Sequence, residues 1–248
     1  MRINFLGFPI DSLDMQEALR RVDDFIANRE PKHILVANVN KLWQIRHDPR
    51  LAIIARQANL VIPERILVLT SALLGPRLKS DVRGVAIAKA LLPHCEKMGH
   101  SIFFLGARPA VVETLIQRVR RDYPKLRVAG HHHGYIPSDD DEALRISIRK
   151  AQPDVLLVAL GSPRQEYWIH DHICEIGVPV SIGVGGSFDV MAGIKKDAPK
   201  WVIRCAIECV YRLIQNPTNL WRRYSITIPW FLGTIFLECV QRRKSETM

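Results

Sequence analysis

Ala159-Leu160-Gly161-Ser162-Pro163-Arg164-Gln165-Glu166 is an apolar run that empties into a tight loop carrying an arginine and an amide. The run itself, Val155 to Leu160, has the length and composition of a buried strand. A second loop of the same kind, Gly183-Val184-Gly185-Gly186-Ser187-Phe188-Asp189, follows Pro179-Val180-Ser181-Ile182. In open α/β sheets the loops after strands line the ligand crevice, and glycines there let backbone N–H groups approach phosphate oxygens. Two such loops predict a phosphate-bearing ligand, a nucleotide or nucleotide sugar, held between them.

Outward from these loops, short β-rich runs alternate with helical patterns. His33 to Ala37, Asn59 to Ile62, Ser101 to Leu105, Leu126 to Ala129, Val155 to Leu160 and Val178 to Val184 read as strands. Asp14 to Asn28, Val85 to Met98, Pro109 to Tyr123, Asp140 to Ala151 and Gln165 to Glu175 carry apolar residues at helical spacing. Alternation of this kind predicts a mainly parallel sheet with helices on both faces. From Ala198 the strand signals stop and the chain turns helical, basic and aromatic. The expected division is a catalytic domain over 1–196 and a helical appendage over 197–248.

The 248 residues, 48% of them hydrophobic, suffice for a substantial core and exclude a disordered or fibrous chain. Five cysteines in no CxxC pair read as reduced thiols, with Cys205 and Cys209 four apart in a helical pattern. The opening, Met1 to Asp11, is too quickly broken by polar residues for a secretory signal and looks like a first strand. No run reaches the roughly 18 apolar residues that span a bilayer; Ile226 to Val240 comes nearest. Net charge is +10, and residues 195–248 hold ten lysines and arginines against four acids. Such a segment expects an anionic partner: phospholipid, nucleic acid or a diphosphate-bearing substrate.

Two polar clusters have plain explanations. Ser138 caps a helix whose first-turn acids, Asp139 to Glu142, oppose the positive helix end. His131-His132-His133 points alternately to opposite faces of an extended segment, poor geometry for one metal ion, so a structural or substrate-contacting loop is expected there.

Five stretches carry a resemblance. They are Phe104 to Pro109, Gly130 to Tyr135, Pro153 to Glu166, Gly183 to Asp189, and Ala198-Pro199-Lys200-Trp201 with Tyr211-Arg212-Leu213. In order and spacing the chain resembles the WecG/TagA/CpsF family of glycosyltransferases, which build bacterial surface polysaccharides. The resemblance implies a Rossmann-like α/β/α domain with a basic helical C-terminal appendage. It also implies inverting transfer, without a required metal or cofactor, from a UDP-sugar to a polyprenyl-diphosphate-linked acceptor on the inner face of the cell membrane.

That reaction requires a held diphosphate, a base for the acceptor hydroxyl and stabilisation of the departing charge. Gly161, Ser162, Arg164, Gln165, Gly185, Gly186 and Asp189 are the expected donor contacts. The family's base is an aspartate in a Pro-Asp-Gly-like turn, which here reads Ile62-Pro63-Glu64-Arg65. Glu64 is therefore the candidate base, with Asn38 beside it; an ion pair between Glu64 and Arg65 is the alternative. Arg212 and Arg222 match the family's basic tail positions, and Arg223 adjoins them.

Other positions depart from the family pattern: Val36, Asp81, Ala86, Asp197 and Asn219 replace residues of different chemistry. They keep open a second reading, an inactive member that scaffolds a polysaccharide-synthesis complex. Ile226 to Val240, between Arg222-Arg223 and Arg242-Arg243-Lys244, suits an interfacial helix on an anionic membrane, with a homo-oligomer interface as the rival. A dinucleotide oxidoreductase lacks its G-x-G-x-x-G, and a nucleic-acid binder lacks a basic polar groove, so neither class is expected.

Overall fold

The computed structural model describes residues 1–75, 77–79, 82–137, 141–215 and 217–246, with Asn219 and residues 242–246 described by backbone alone. The Ser138 cap and Asp81 fall outside the described residues.

Six strands form one parallel sheet: β3 (Lys32–Ala37), β4 (Leu60–Pro63), β5 (Ser101–Gly106), β6 (Arg127–His132), β7 (Val155–Ala159) and β8 (Val180–Gly183). Their spatial order is β4-β3-β8-β7-β5-β6, a Rossmann-like α/β arrangement. Because every pairing is parallel, all six carboxyl ends share one edge. The chain winds from β3 outward to β4, then crosses to β5 on the far side, which leaves β3, β8 and β7 adjacent at the point where ligands enter such sheets.

The opening segment corrects the expectation of a first strand. β1 (Arg2–Phe5) and β2 (Phe8–Asp11) form a separate antiparallel hairpin. Leu6 and Gly7 between them both have positive φ, as a two-residue primed turn requires. Asp11 secures the hairpin to the main sheet by accepting from the Val61 backbone N–H at 2.8 Å, while its partner across the hairpin, Arg2, donates to Ala58 O and Asn59 O just before β4.

Period-two alternation divides the core. Ile34, Val36, Ile102, Phe104, Val155 and Leu157 face α1 (Met15–Asn28), α5 (Gly84–Met98), α6 (Pro109–Asp122) and α9 (Ser187–Met191). On the other face Leu35 and Ala37 meet α2 (Val39–His47) and α3 (Pro49–Gln57), while Phe103, Leu156 and Val158 meet α7 (Asp141–Ala151) and α8 (Arg164–Ile176). One glycine is required by the sheet itself. Gly106 has φ +129° at the end of β5, and a Cβ there would lie 2.5 Å from the Ala159 backbone. Only a bare Cα lets β5 and β7 end side by side.

After α4 (Arg65–Ser71), α10 (Lys200–Arg204) and α11 (Glu208–Gln215), the chain ends in α12 (Pro217–Glu246), which holds the whole apolar run 226–240. One side of α12 lies on α2, with Thr227 buried and Phe231 and Ile235 in the same cluster as Leu35 and Leu42. Burying Phe231 and Ile235 stabilises this docking by about 1.5–3 kcal/mol each. The rest of its surface leaves Trp221, Ile226, Leu232, Phe236, Leu237 and Val240 exposed. Among the described residues no helix is long and apolar enough to cross a membrane. Cys205 and Cys209 do not share a helix, contrary to the spacing; Ala206 at φ +55° breaks the chain between α10 and α11.

Candidate active site

Asn38 follows β3 and caps α2, its side-chain oxygen accepting from the Lys41 N–H at 2.9 Å. Glu64 follows β4, the neighbouring strand, and its N–H donates to Ala37 O at 2.9 Å, which locks the two strand ends together. Glu64 occupies the cap position of α4 yet makes no side-chain cap bond. Its carboxyl group instead meets the Asn38 side chain and faces the cationic groups of Arg212 and Arg223. Burial, reinforced by Glu208, lifts Glu64 above the ordinary carboxylate range, although Arg212, Asn38 and Arg223 pull it down.

The two glycine loops meet opposite this carboxylate. After β7, Gly161 (φ +80°) turns the chain, and Gln165 N–H donates back to Gly161 O at 2.8 Å. Gln165 is buried and reaches across to the second loop, where its Oε1 accepts from the Gly185 N–H at 3.0 Å. A Cβ on Gly183 would meet Gln165 Nε2 at 2.5 Å, so this bridge requires glycine at the end of β8. Ser162 Oγ donates to Gln44 Oε1 at 2.6 Å and accepts from Lys41 Nζ at 2.5 Å.

Between these loops and the C-terminal helices lies a cavity of about 240 Å³, walled by Asn38, Lys41, Glu64, Gly161, Ser162, Gln165, Gly185, Gly186, Ser187, Lys195, Lys196, Arg212, Arg223 and Tyr224. Among the lining residues Lys41, Lys195, Lys196, Arg212 and Arg223 outnumber the acids Glu64, Asp197 and Glu208, a balance that favours an anionic ligand. Burial works against the charge on Arg212, yet the nearby Glu64 and Glu208 hold its guanidinium above the ordinary value. Arg223 is shifted down, by burial first, with Arg212 repelling it.

A second cavity of about 110 Å³ shares Asn38, Glu64, Glu208, Arg212, Arg223 and Tyr224 with the first. Its remaining wall is largely apolar: Val39, Ile66, Ala206, Ile228, Phe231 and Leu232. Glu64 therefore stands at the junction of a polar, cationic chamber and an apolar one.

Of the residues expected from sequence, the fold brings together Asn38, Glu64, Gly161, Ser162, Gln165, Gly185, Gly186 and Arg212. Three lie outside the walls. Arg164 is exposed at the start of α8. Asp189 turns to Lys195 at 3.7 Å and Arg108 at 4.0 Å. Arg222 is exposed and stacks over Trp221 at 5.5 Å, while its neighbour Arg223 enters both cavities. Lys41, Tyr224 and Glu208 also line the cavity, though no motif marks them in the sequence. A lysine three residues after a capping asparagine was the available signal for Lys41. The histidines of 131–133 are not among the residues that wall either cavity, and His131 pairs with Glu113 at 3.0 Å.

Switch-point loops, a buried carboxylate and basic helices thus converge on one cavity at the edge where parallel α/β sheets bind ligands. Residues 3–245 match the model of the Glycosyl transferase WecG/TagA/CpsF family, and the chain belongs to that family. Among its relatives is the N-acetylglucosaminyldiphosphoundecaprenol N-acetyl-beta-D-mannosaminyltransferase of Bacillus spizizenii, 32% identical over 92% of this chain and 90% of its own. The proteins of that name from Bacillus subtilis and Staphylococcus aureus are 38% and 30% identical; they cover 73% and 92% of this chain, over 70% and 90% of their own lengths.

Proposed function

We propose that this protein transfers an N-acetylhexosaminyl group from a UDP-sugar to a sugar hydroxyl on a polyprenyl-diphosphate-linked acceptor, with inversion at the anomeric carbon. The observation that carries this reading is the place of Glu64 in the shared wall of the two cavities. The cationic chamber suits the donor and the apolar one suits the lipid-linked acceptor. Relatives named for transfer to an undecaprenyl-diphosphate-linked sugar support the acceptor class.

In the proposed step the acceptor oxygen attacks the anomeric carbon as Glu64 takes its proton, and the bond from that carbon to the diphosphate oxygen breaks on the opposite face. Arg212 and Arg223 meet the charge that accumulates on the leaving diphosphate, the largest electrostatic demand of the step. Asn38 orients the carboxylate.

Purified protein, a panel of UDP-N-acetylhexosamines and a short-chain prenyl-diphosphate N-acetylglucosamine acceptor test the proposal. Chromatographic detection of a lengthened acceptor with one UDP released per transfer is expected. UDP binding without turnover would favour the inactive scaffold instead.

Residues 1–196 form the proposed catalytic domain, and 197–248 the appendage that presents it to an anionic membrane on its inner face. The exposed Trp221, Leu232, Phe236 and Leu237 give α12 a second apolar side to bury at a lipid interface. Phe236→Glu with Leu237→Glu is expected to abolish co-flotation with phosphatidylglycerol vesicles while leaving the melting temperature within about 2 °C, since both side chains are exposed. Unchanged flotation would count against this face.

A further inference from the structure

Lys41 and Glu166 form a buried ion pair beneath the donor cavity, with Nζ to Oε1 at 2.5 Å and side chains 3% and 1% exposed. The lysine sits on α2, the glutamate on α8. Such pairs are poor stabilisers, because apolar residues of similar volume often serve a core as well or better. Burial depresses the Lys41 pKa despite the carboxylate beside it. The pair's connections point to another use.

Lys41 Nζ donates to Ser162 Oγ at 2.5 Å, in the loop after β7. Glu166 Oε1 also accepts from Gln165 Nε2 at 2.7 Å, and Gln165 Oε1 accepts from the Gly185 N–H at 3.0 Å, in the loop after β8. One ammonium–carboxylate contact thus sets the position of both glycine loops. We propose that Lys41 is a positioning residue of the donor site: its ammonium holds Ser162 and, by clamping Glu166, fixes the carboxylate that holds Gln165, and so sets the separation of the two loops that close on a nucleoside diphosphate. This rests on the donor reading given under Proposed function.

The test is UDP affinity of the full chain by titration calorimetry, with melting temperature measured beside it. Lys41→Met and Glu166→Gln are each expected to weaken UDP binding by about 10- to 100-fold, the scale of a displacement near 1 Å. The double variant, which leaves no lone buried charge, is expected to fold and to bind no worse than the weaker single variant. A lysine that instead grips phosphate directly would be freed by Glu166→Gln, so unchanged or tighter UDP binding in that variant overturns the proposal. Lower melting temperatures with UDP affinity within about threefold of the parent overturn it too, by showing a purely structural pair. If the parent chain fails to bind UDP, the donor reading falls and this inference falls with it.

Discussion

Glu64→Gln is expected to lower kcat by about 100- to 10,000-fold, the range that a positioned general base supplies, while UDP affinity changes by less than about threefold. The amide keeps the shape and the Asn38 contact but accepts no proton. The pH profile adds a second readout. Burial raises the Glu64 pKa above its ordinary 4.5, so the protonated, inactive form persists to higher pH than a solvent-exposed glutamate would allow. The kcat/KM of the parent is therefore expected to fall as pH drops through that raised value, and the residual activity of Glu64→Gln is expected to lack that limb. The same shift fixes the sign for stability. A carboxylate whose folded pKa lies above its unfolded value costs stability as pH rises from the unfolded value through the folded one. Above that window Glu64→Gln is thus expected to melt no lower than the parent. A variant that lost both activity and melting temperature would indicate a structural glutamate.

The second large effect concerns the basic tail. Arg212→Ala and Arg223→Ala are each expected to reduce kcat/KM by roughly 10- to 100-fold, since charged hydrogen bonds contribute about 1.5–3 kcal/mol. Lysine is expected to restore little, because it lacks the planar fork that grips two phosphate oxygens. Arg212→Ala has a distinctive further consequence. It leaves Glu64 facing Glu208 without the guanidinium between them, so the acidic limb of the pH profile moves to higher pH. Arg222→Ala, on an exposed side chain over Trp221, is expected to stay within about threefold. Steady-state kinetics across the three variants separate a donor-binding role for Arg223 from one for Arg222.

Arg222 and Arg223 also mark how far the sequence could be read. The helical character of the tail was legible, but its phase was not. α12 buries Phe231 and Ile235 on one side and leaves Leu232 and Phe236 exposed. An apolar pattern on all sides gives no clue to which of two adjacent arginines turns inward. The strands, by contrast, were readable because Val155 to Ala159 and Ser101 to Gly106 are buried on both faces and so run continuously apolar. The two glycine loops followed from the strands before them, β7 and β8.

What escaped was long-range. Lys41 and Ser162 lie 121 residues apart, and nothing local to either predicts their contact. Gln165 was expected to offer its amide to a ligand; its oxygen instead holds Gly185 while the side chain still walls the cavity. The stretch between β3 and β4 folds into α2 and α3, although no helix was assigned there. Their start signals are local, Asn38 capping α2 and Asp48 capping α3 with Pro49 in its first turn. The opening hairpin reads as one strand because, of the two turn residues Leu6 and Gly7, only Gly7 is a turn-forming type.

A crystal structure of the chain with UDP is the decisive measurement. The diphosphate is expected between the loop at 161–165 and the loop at 184–187, within reach of Arg212 and Arg223, with the Glu64 carboxyl group open to the same chamber. UDP seated away from these loops, or a Glu64 walled off from it, would rule out Glu64 as the base of a donor site built on these loops.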